Sequence, residues 1–181
     1  MRIIGGKYKN KLIFMPKGIR PTQNKVRKAI FDIIQDVEGL YFLELFAGSG
    51  AVGLEALSRG AGEVVMIENN CQCQLAIKKN IESFKAANCH LYPLETERAI
   101  ESLHKNRKKF DIIFLDPPYH QELPKKTLQT ISAYDILAPD GLIVIQHFKN
   151  DDLPDSQGDL TLLKQYGYGD TLLSIYIRKA G

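Results

Sequence analysis

What the chain lacks narrows it first. No run of about 18 apolar residues occurs among its 181, so no membrane-spanning helix is expected. The opening segment, Met1 to Lys11, holds none of the apolar stretch that a secretory leader needs. Cysteine is scarce: Cys71, Cys73 and Cys89 are odd in number and include no C-x-x-C pair. That excludes a disulfide framework and the ligand spacing of a zinc site. Cys71 and Cys73 read as ordinary helix residues, no metal is expected, and a reducing cytoplasm is the expected compartment. Repeats and low-complexity linkers are missing too. At 44% hydrophobic and 25% charged residues the composition is that of a globular chain. Its length suits one domain with a real core.

Acids are missing altogether from the first thirty positions. Those positions hold Arg2, Lys7, Lys9, Lys11, Lys17, Arg20, Lys25, Arg27 and Lys28. The remainder carries 15 basic against 21 acidic residues, which leaves a net charge of only +3. Such asymmetry predicts a polyanion-binding face at one end of the molecule. A solvated basic tail is the plainer reading, but structure signals are interleaved with these charges. Ile3-Ile4 and Leu12-Ile13-Phe14 flank a glycine-containing turn and predict a hairpin over residues 2–14. Pro16, Gly18 and Pro21 mark a loop. Thr22 or Asn24 is placed to cap a helix reaching Gln35, with Val26, Ile30, Ile33 and Ile34 on its apolar stripe.

From Leu40 the pattern alternates. Strands are expected at 40–45, 63–67, 90–92, 110–115 and 141–148. Helices are expected at 49–59, 70–87, 96–104 and 124–134, with Gly60 capping the first of them. Two closing strands, 160–166 and 171–177, are joined by residues 167–170. Alternation of this kind predicts a parallel sheet covered on both faces, and the closing pair adds an antiparallel strand. The reading is one doubly wound domain over 39–181 with a basic appendage over 1–38.

Two motifs carry chemistry. Gly48, Gly50 and Gly53 fit G-x-G-x-x-G between the first strand and its helix. Glycine lets a ligand approach the backbone, and a helix N-terminus attracts negative charge. Glu68 ends the next strand, 20 positions after Gly48, where a carboxylate can accept from ribose hydroxyls. A nucleoside-containing cofactor is expected. Glu44 decides which one. A carboxylate there would repel the pyrophosphate of a nicotinamide dinucleotide and suits a cationic ammonium, such as the methionine part of S-adenosylmethionine.

The second motif is Asp116-Pro117-Pro118-Tyr119, at the end of the fourth strand. Ligands of open α/β sheets bind outside the carboxyl ends of the strands, and the motif falls beside the glycine turn if strands one and four are neighbours. An exocyclic base amine is a poor nucleophile, because its lone pair is delocalised into the ring. Two acceptors on its N–H groups, the Asp116 carboxylate and the Pro117 carbonyl, would favour a pyramidal nitrogen. The prolines fix φ and hold those acceptors in advance. Tyr119 can stack on an extruded base. The plainer reading is a proline-rich loop with a capping Asp.

Asp116-Pro117-Pro118-Tyr119 matches the D/N-P-P-Y motif of S-adenosylmethionine-dependent amino methyltransferases. Phe46 to Gly50 followed by Gly53-Leu54-Glu55-Ala56-Leu57-Ser58-Arg59-Gly60-Ala61 is more specific. With Arg2-Ile3-Ile4-Gly5-Gly6-Lys7, Arg20-Pro21-Thr22 and Val26-Arg27, the chain resembles the RsmD family over nearly its whole length. The resemblance implies a Rossmann-like class I methyltransferase fold. Its mostly parallel seven-stranded sheet would carry an antiparallel C-terminal hairpin, preceded by a basic hairpin and helix. It implies methylation of a guanine N2 amine in small-subunit (16S) ribosomal RNA or the assembling subunit. A monomer is expected, since nothing in the sequence suggests an obligate dimer. Cofactor contacts are implied for Glu44, Phe46, Ala47, Gly48, Ser49, Gly50, Glu68, Asn69, Glu95, Thr96 and Asp116. RNA contacts are implied for Arg2, Lys7, Arg20, Thr22 and Arg27.

Two positions depart from the family pattern. Glu95 stands where Asp or Asn is common, and Gln146-His147 where an acid is common; His147 reads as structural. A DNA adenine or cytosine amino methyltransferase is the alternative, but it would need a target-recognition domain for which the chain has no room. A protein glutamine methyltransferase would show Asn at 116, and a non-catalytic RNA-binding module needs neither Asp116 nor Tyr119.

Overall fold

The apolar run Tyr41–Leu45 forms strand β1, and its last four residues are buried. Burial on both faces is the mark of a parallel-sheet strand. The structure, a computed structural model, describes residues 1–18, 22–118 and 122–179. The chain divides into two units, Met1–Glu95 and Thr96–Gly181.

In the first unit, β1 pairs in parallel with β2 (Glu63–Ile67), and β2 with β3 (Cys89–Tyr92). Helices α1 (Asn24–Ile34), α2 (Ala51–Ser58) and α3 (Cys71–Phe84) complete it. α1 buries Val26, Ala29, Ile30, Phe31 and Ile34, and Phe31 stacks on Phe42 of β1 at 6.3 Å. The N-cap position falls between the two expected residues. Gln23 is the N-cap residue, without a side-chain bond, and Asn24 Oδ1 accepts from Arg27 instead. α3 stops at Phe84, short of Ala87, because Lys85 turns left-handed (φ 51°). Gly60, with φ 101°, follows α2 as expected.

The predicted N-terminal hairpin is present as a single bridge, Arg2 to Leu12, with bonds from Ile3 N to Lys11 O and from Asn10 N to Ile3 O. It is not a loose tail. Glu55 of α2 receives the amides of Ile4 and Gly5 on separate oxygens, each at 2.8 Å. Ser58 Oγ accepts from Tyr8 N and donates to Gly5 O. Gly6 (φ +73°) runs so close to α2 that a Cβ there would lie 1.8 Å from Ser58 O. This contact is why the second glycine of the Arg2-to-Lys7 stretch cannot be another residue.

In the second unit the order is β4-β5-β8-β7-β6. β4 (Phe110–Leu115) and β5 (Leu137–Phe148) are parallel. β8 (Thr171–Arg178), β7 (Leu160–Tyr168) and β6 (Ser156–Gln157) follow antiparallel. Helices α4 (Thr96–Lys105) and α5 (Leu123–Tyr134) belong to this unit. The expected mixed architecture is present, and among the described residues β6 adds a two-residue strand to the seven expected. β5 begins at Leu137, four residues before the expected start. Its ladder with β4 slips between Phe110 and Ile112, and that irregularity admits Pro139, which a regular interior strand would not. The closing hairpin pairs as far as Tyr168 and Thr171 across a two-residue turn, with Gly169 at φ +67°.

Among the described residues no helix is long and apolar enough to cross a membrane, and no group of three or more His, Cys, Asp or Glu could hold a metal. Burial raises the thiol of Cys73 to about 11 and that of Cys89 to about 12, which leaves them unreactive as nucleophiles.

Candidate active site

β1 delivers Glu44 to the turn that opens α2. Phe46, Gly48 and Gly50 all take positive φ, at 58°, 57° and 73°. Gly50 occupies the N-cap position of α2 and offers no side-chain cap, so the helix would start with unpaired amides. Glu44 supplies the cap from the preceding strand. Its Oε1 accepts from Val52 N at 3.2 Å and its Oε2 from Gly53 N at 2.9 Å, and the side chain is 3% exposed. Gly53 is glycine for the same reason: a Cβ would lie 2.7 Å from Glu44 Oε2 and 3.0 Å from Val64 Cγ1. The third glycine of the motif thus makes room for a carboxylate.

Glu68 locks the turn from β2. Its Oε2 accepts from Gly48 N at 2.7 Å and its Oε1 from Asn70 N at 2.8 Å. Gly50 N bonds Ala47 O, and Ala47 N bonds Ile67 O. Ser49 is buried, and its carbonyl accepts from Asn80 Nδ2 at 3.0 Å. Asn80, fully enclosed in α3, also brackets Phe14 through both backbone groups. One amide side chain therefore ties the glycine turn to the N-terminal segment. Asn69 Nδ2 donates to exposed Glu95 Oε1 at 2.9 Å. The structure thus brings Glu44, residues 46–50, Glu68, Asn69 and Glu95 together in the first unit. Thr96 is buried at the start of α4.

The sequence reading gives no role to Asn80, nor to Glu55 and Ser58, which it holds only as part of the Gly53-to-Ala61 stretch. Glu55, Ser58 and Arg59 interrupt an otherwise apolar helix at a spacing of three and four, one face of it. That is the signal for the last two; Asn80 gave none, as a lone amide in a polar helix.

Arg27 corrects an expectation. It is fully enclosed, so it presents nothing to RNA. Its guanidinium donates to Met1 Sδ, Arg2 O and Asn24 Oδ1, with Nε 3.7 Å from Glu55 Oε2. Burial lowers its pKa, and Glu55 and then Glu44 oppose that. The wholly buried Glu55 also takes Arg59 Nε at 3.0 Å. Arg2 and Lys7 are exposed, with Lys7 Nζ 5.3 Å from the Tyr8 ring centre. Thr22 is half-buried. Arg20 and Tyr119 lie outside the described residues.

In the second unit Asp116, half-buried, follows the last residue of β4; Pro117 is buried and Pro118 exposed. A cavity of about 440 Å³ opens beside the start of α5 and the segment after β5, with Glu122, Lys125, Asn150 and Asp152 in its lining. His147 is structural, as read. Its Nδ1 lies 3.0 Å from Phe148 O and its Nε2 2.7 Å from Ser174 Oγ. The carbonyl demands Nδ1–H, so Nε2 accepts from the serine hydroxyl. Burial lowers its pKa.

The parallel strands, the glycine turn after β1, the acid after β2 and the antiparallel closing hairpin define the class I methyltransferase fold. A structure from Thermus thermophilus covers 99% of both chains at a TM-score of 0.85 and 29% identity. A family model described as "Conserved hypothetical protein 95" matches residues 1–177, and the chain belongs to this family, the RsmD family. The Escherichia coli (strain K12) protein named "Ribosomal RNA small subunit methyltransferase D" is 31% identical over 99% of this chain and 91% of its own. Bacillus subtilis YlbH, an rRNA methyltransferase by provisional name, is 35% identical over 99% of this chain and all of its own.

Proposed function

We propose that the protein transfers a methyl group from S-adenosylmethionine to the exocyclic N2 amine of a guanine in small-subunit ribosomal RNA, in the cytoplasm and as a monomer. The observation that carries the reading is the pairing of two features in one chain: Asp116-Pro117-Pro118 at the carboxyl end of β4, and a glycine turn held by Glu68. Support also comes from the names of the relatives, two of which act on ribosomal RNA by name.

The turn fits this cofactor and not a dinucleotide. A pyrophosphate would need the first-turn amides of α2, and Glu44 already occupies those of Val52 and Gly53 with a negative charge. Glu68 spends one lone pair of each oxygen on a backbone amide, so further lone pairs remain for ribose hydroxyls. Phe46 and Gly48 of the turn are half-exposed. S-adenosylmethionine, when bound, supplies an electrophilic methyl group. The Asp116 carboxylate and Pro117 carbonyl accept from the amine's N–H groups and leave its lone pair directed at that methyl. Tyr119 stacks on the base. Arg2 and Lys7, with Arg20, attract the phosphates, and Arg27 instead holds the N-terminal segment in place.

The test is tritiated methyl transfer to small-subunit particles, naked ribosomal RNA, duplex DNA and protein. Labelled guanine in ribosomal RNA or particles is the expected result. Label in DNA alone would replace this reading with a DNA amino methyltransferase.

A further inference from the structure

β5 closes on a polar pair, Gln146-His147, after an apolar run. The ring of His147 is fully engaged. Gln146 is not: the residue is 5% exposed, and its Oε1 has no hydrogen-bond partner. Folded chains keep few such atoms, because a buried acceptor without a donor is destabilising. Among the described residues the other enclosed side-chain atom in this state is Arg27 Nε, which at least faces Glu55.

The position of Gln146 gives the orphan acceptor its meaning. Leu115 pairs with Ile145 in the parallel ladder of β4 and β5. Asp116 and Gln146 are the next residue on each strand. Side chains alternate between faces, so Gln146 lies on the face opposite His147, the face Asp116 would share. Both stand at the carboxyl ends of their strands, where open α/β sheets bind ligands.

We infer that Gln146 is a specificity-determining residue whose Oε1 accepts a hydrogen bond from the ring nitrogen next to the target amine, which selects guanine. The proposal rests on Asp116 as the amine acceptor, as argued above. Guanine carries a hydrogen on N1, beside its N2 amine. Adenine N1 and cytosine N3, the ring nitrogens beside their amines, carry lone pairs and would face an acceptor with an acceptor. A site with a buried hydrogen-bonding group discriminates strongly against a ligand that cannot complete it.

The experiment uses the full chain, tritiated S-adenosylmethionine and small-subunit particles reconstituted from transcribed RNA. The methylated guanine is located by mass spectrometry of nuclease digests. A second particle then carries 2-aminopurine there, which keeps the N2 amine but has a lone pair at N1. The wild-type enzyme is expected to prefer guanine by at least about tenfold in kcat/KM. Gln146→Met, of similar length but without the acceptor, should lose most of the guanine rate and treat the two bases alike. Its cofactor affinity should be unchanged. Its melting temperature should be unchanged or higher, since an unpaired buried polar group has been removed. Gln146→Glu, which keeps an acceptor, should keep the preference.

An unaltered preference in Gln146→Met overturns the proposal. So does an equal loss on both bases with a lowered melting temperature, the signature of a structural role. Should Gln146→Met not fold, Gln146→Glu decides, and a lost preference there overturns it. A wild-type enzyme that labels no RNA refutes the proposed function itself, which is visible before any variant is compared.

Discussion

Replacing Glu55 tests how the basic N-terminal segment is held. The wholly enclosed Glu55 carboxylate receives Ile4 N and Gly5 N at 2.8 Å and Arg59 Nε at 3.0 Å, with Arg27 Nε at 3.7 Å. Hydrogen bonds to a charged group contribute about 1.5–3 kcal/mol each. Taking one partner from a buried ion pair costs about 3–5 kcal/mol, because the other charge stays buried. These contributions overlap, so we take about 4 kcal/mol for Glu55→Leu, a large share of the roughly 5–15 kcal/mol that holds a typical domain. At about 2–4 °C per kcal/mol for a chain of this size, the melting temperature should fall by about 10 °C. Arg27→Met should cost less, since Glu55 keeps Arg59 and both amides. The double variant should recover part of the Glu55→Leu loss, because no unpaired buried guanidinium remains at position 27. Calorimetry gives the stabilities, and limited trypsin digestion reports release of residues 1–17. A loss under about 1 kcal/mol for Glu55→Leu, or a double variant worse than the sum of the singles, would refute the clamp.

Two further outcomes follow from the site. Glu68→Ala removes the acceptor of Gly48 N, and calorimetric titration should show at least about a tenfold weaker affinity for S-adenosylmethionine with the fold intact; unchanged affinity would exclude Glu68 from the cofactor site. Burial holds His147 neutral and puts its folded pKa below the ordinary imidazole value of about 6.5. The unfolded chain therefore binds the extra proton first, so this contribution is intact above about pH 6.5 and is lost as pH falls from there toward the folded pKa, at no more than about 1.4 kcal/mol per pH unit. A pH series of melts should show this slope in the wild type and a shallower one in His147→Gln; identical slopes would contradict it.

The sequence carried β1 to β4 to within a residue, because buried parallel strands read as unbroken apolar runs bounded by turns. The start of β5 was hidden by Pro139 and Gly141, which punctuate a sequence in the same way whether they end a strand or bend it. The glycine turn and Glu68 were legible from spacing alone, and the proline motif announced its strand end. The partners of Glu44 were not. Nothing in a sequence says that a strand carboxylate will cap the next helix, and only the bond from Gly53 N to its Oε2 at 2.9 Å makes that plain. Arg27 was misread for the opposite reason. Its neighbours Lys25 and Lys28 are exposed, and its own enclosure depends on residues 1 and 2 folding back over it, a contact local charge cannot reveal. Gln146 drew notice only as a departure from a family pattern, and its unpaired oxygen is a fact of three dimensions.

The central claim is that Asp116 grips the amine of a ribosomal RNA base while the glycine turn holds the cofactor. Asp116→Ala tests it most directly, assayed for tritiated methyl transfer to small-subunit particles and, separately, for S-adenosylmethionine binding by calorimetry. Transfer should fall by a factor of about 10²–10³ or more, the scale for removing one preorganised polar partner, with cofactor binding retained. Undiminished transfer, or transfer lost only because the cofactor no longer binds, would contradict it.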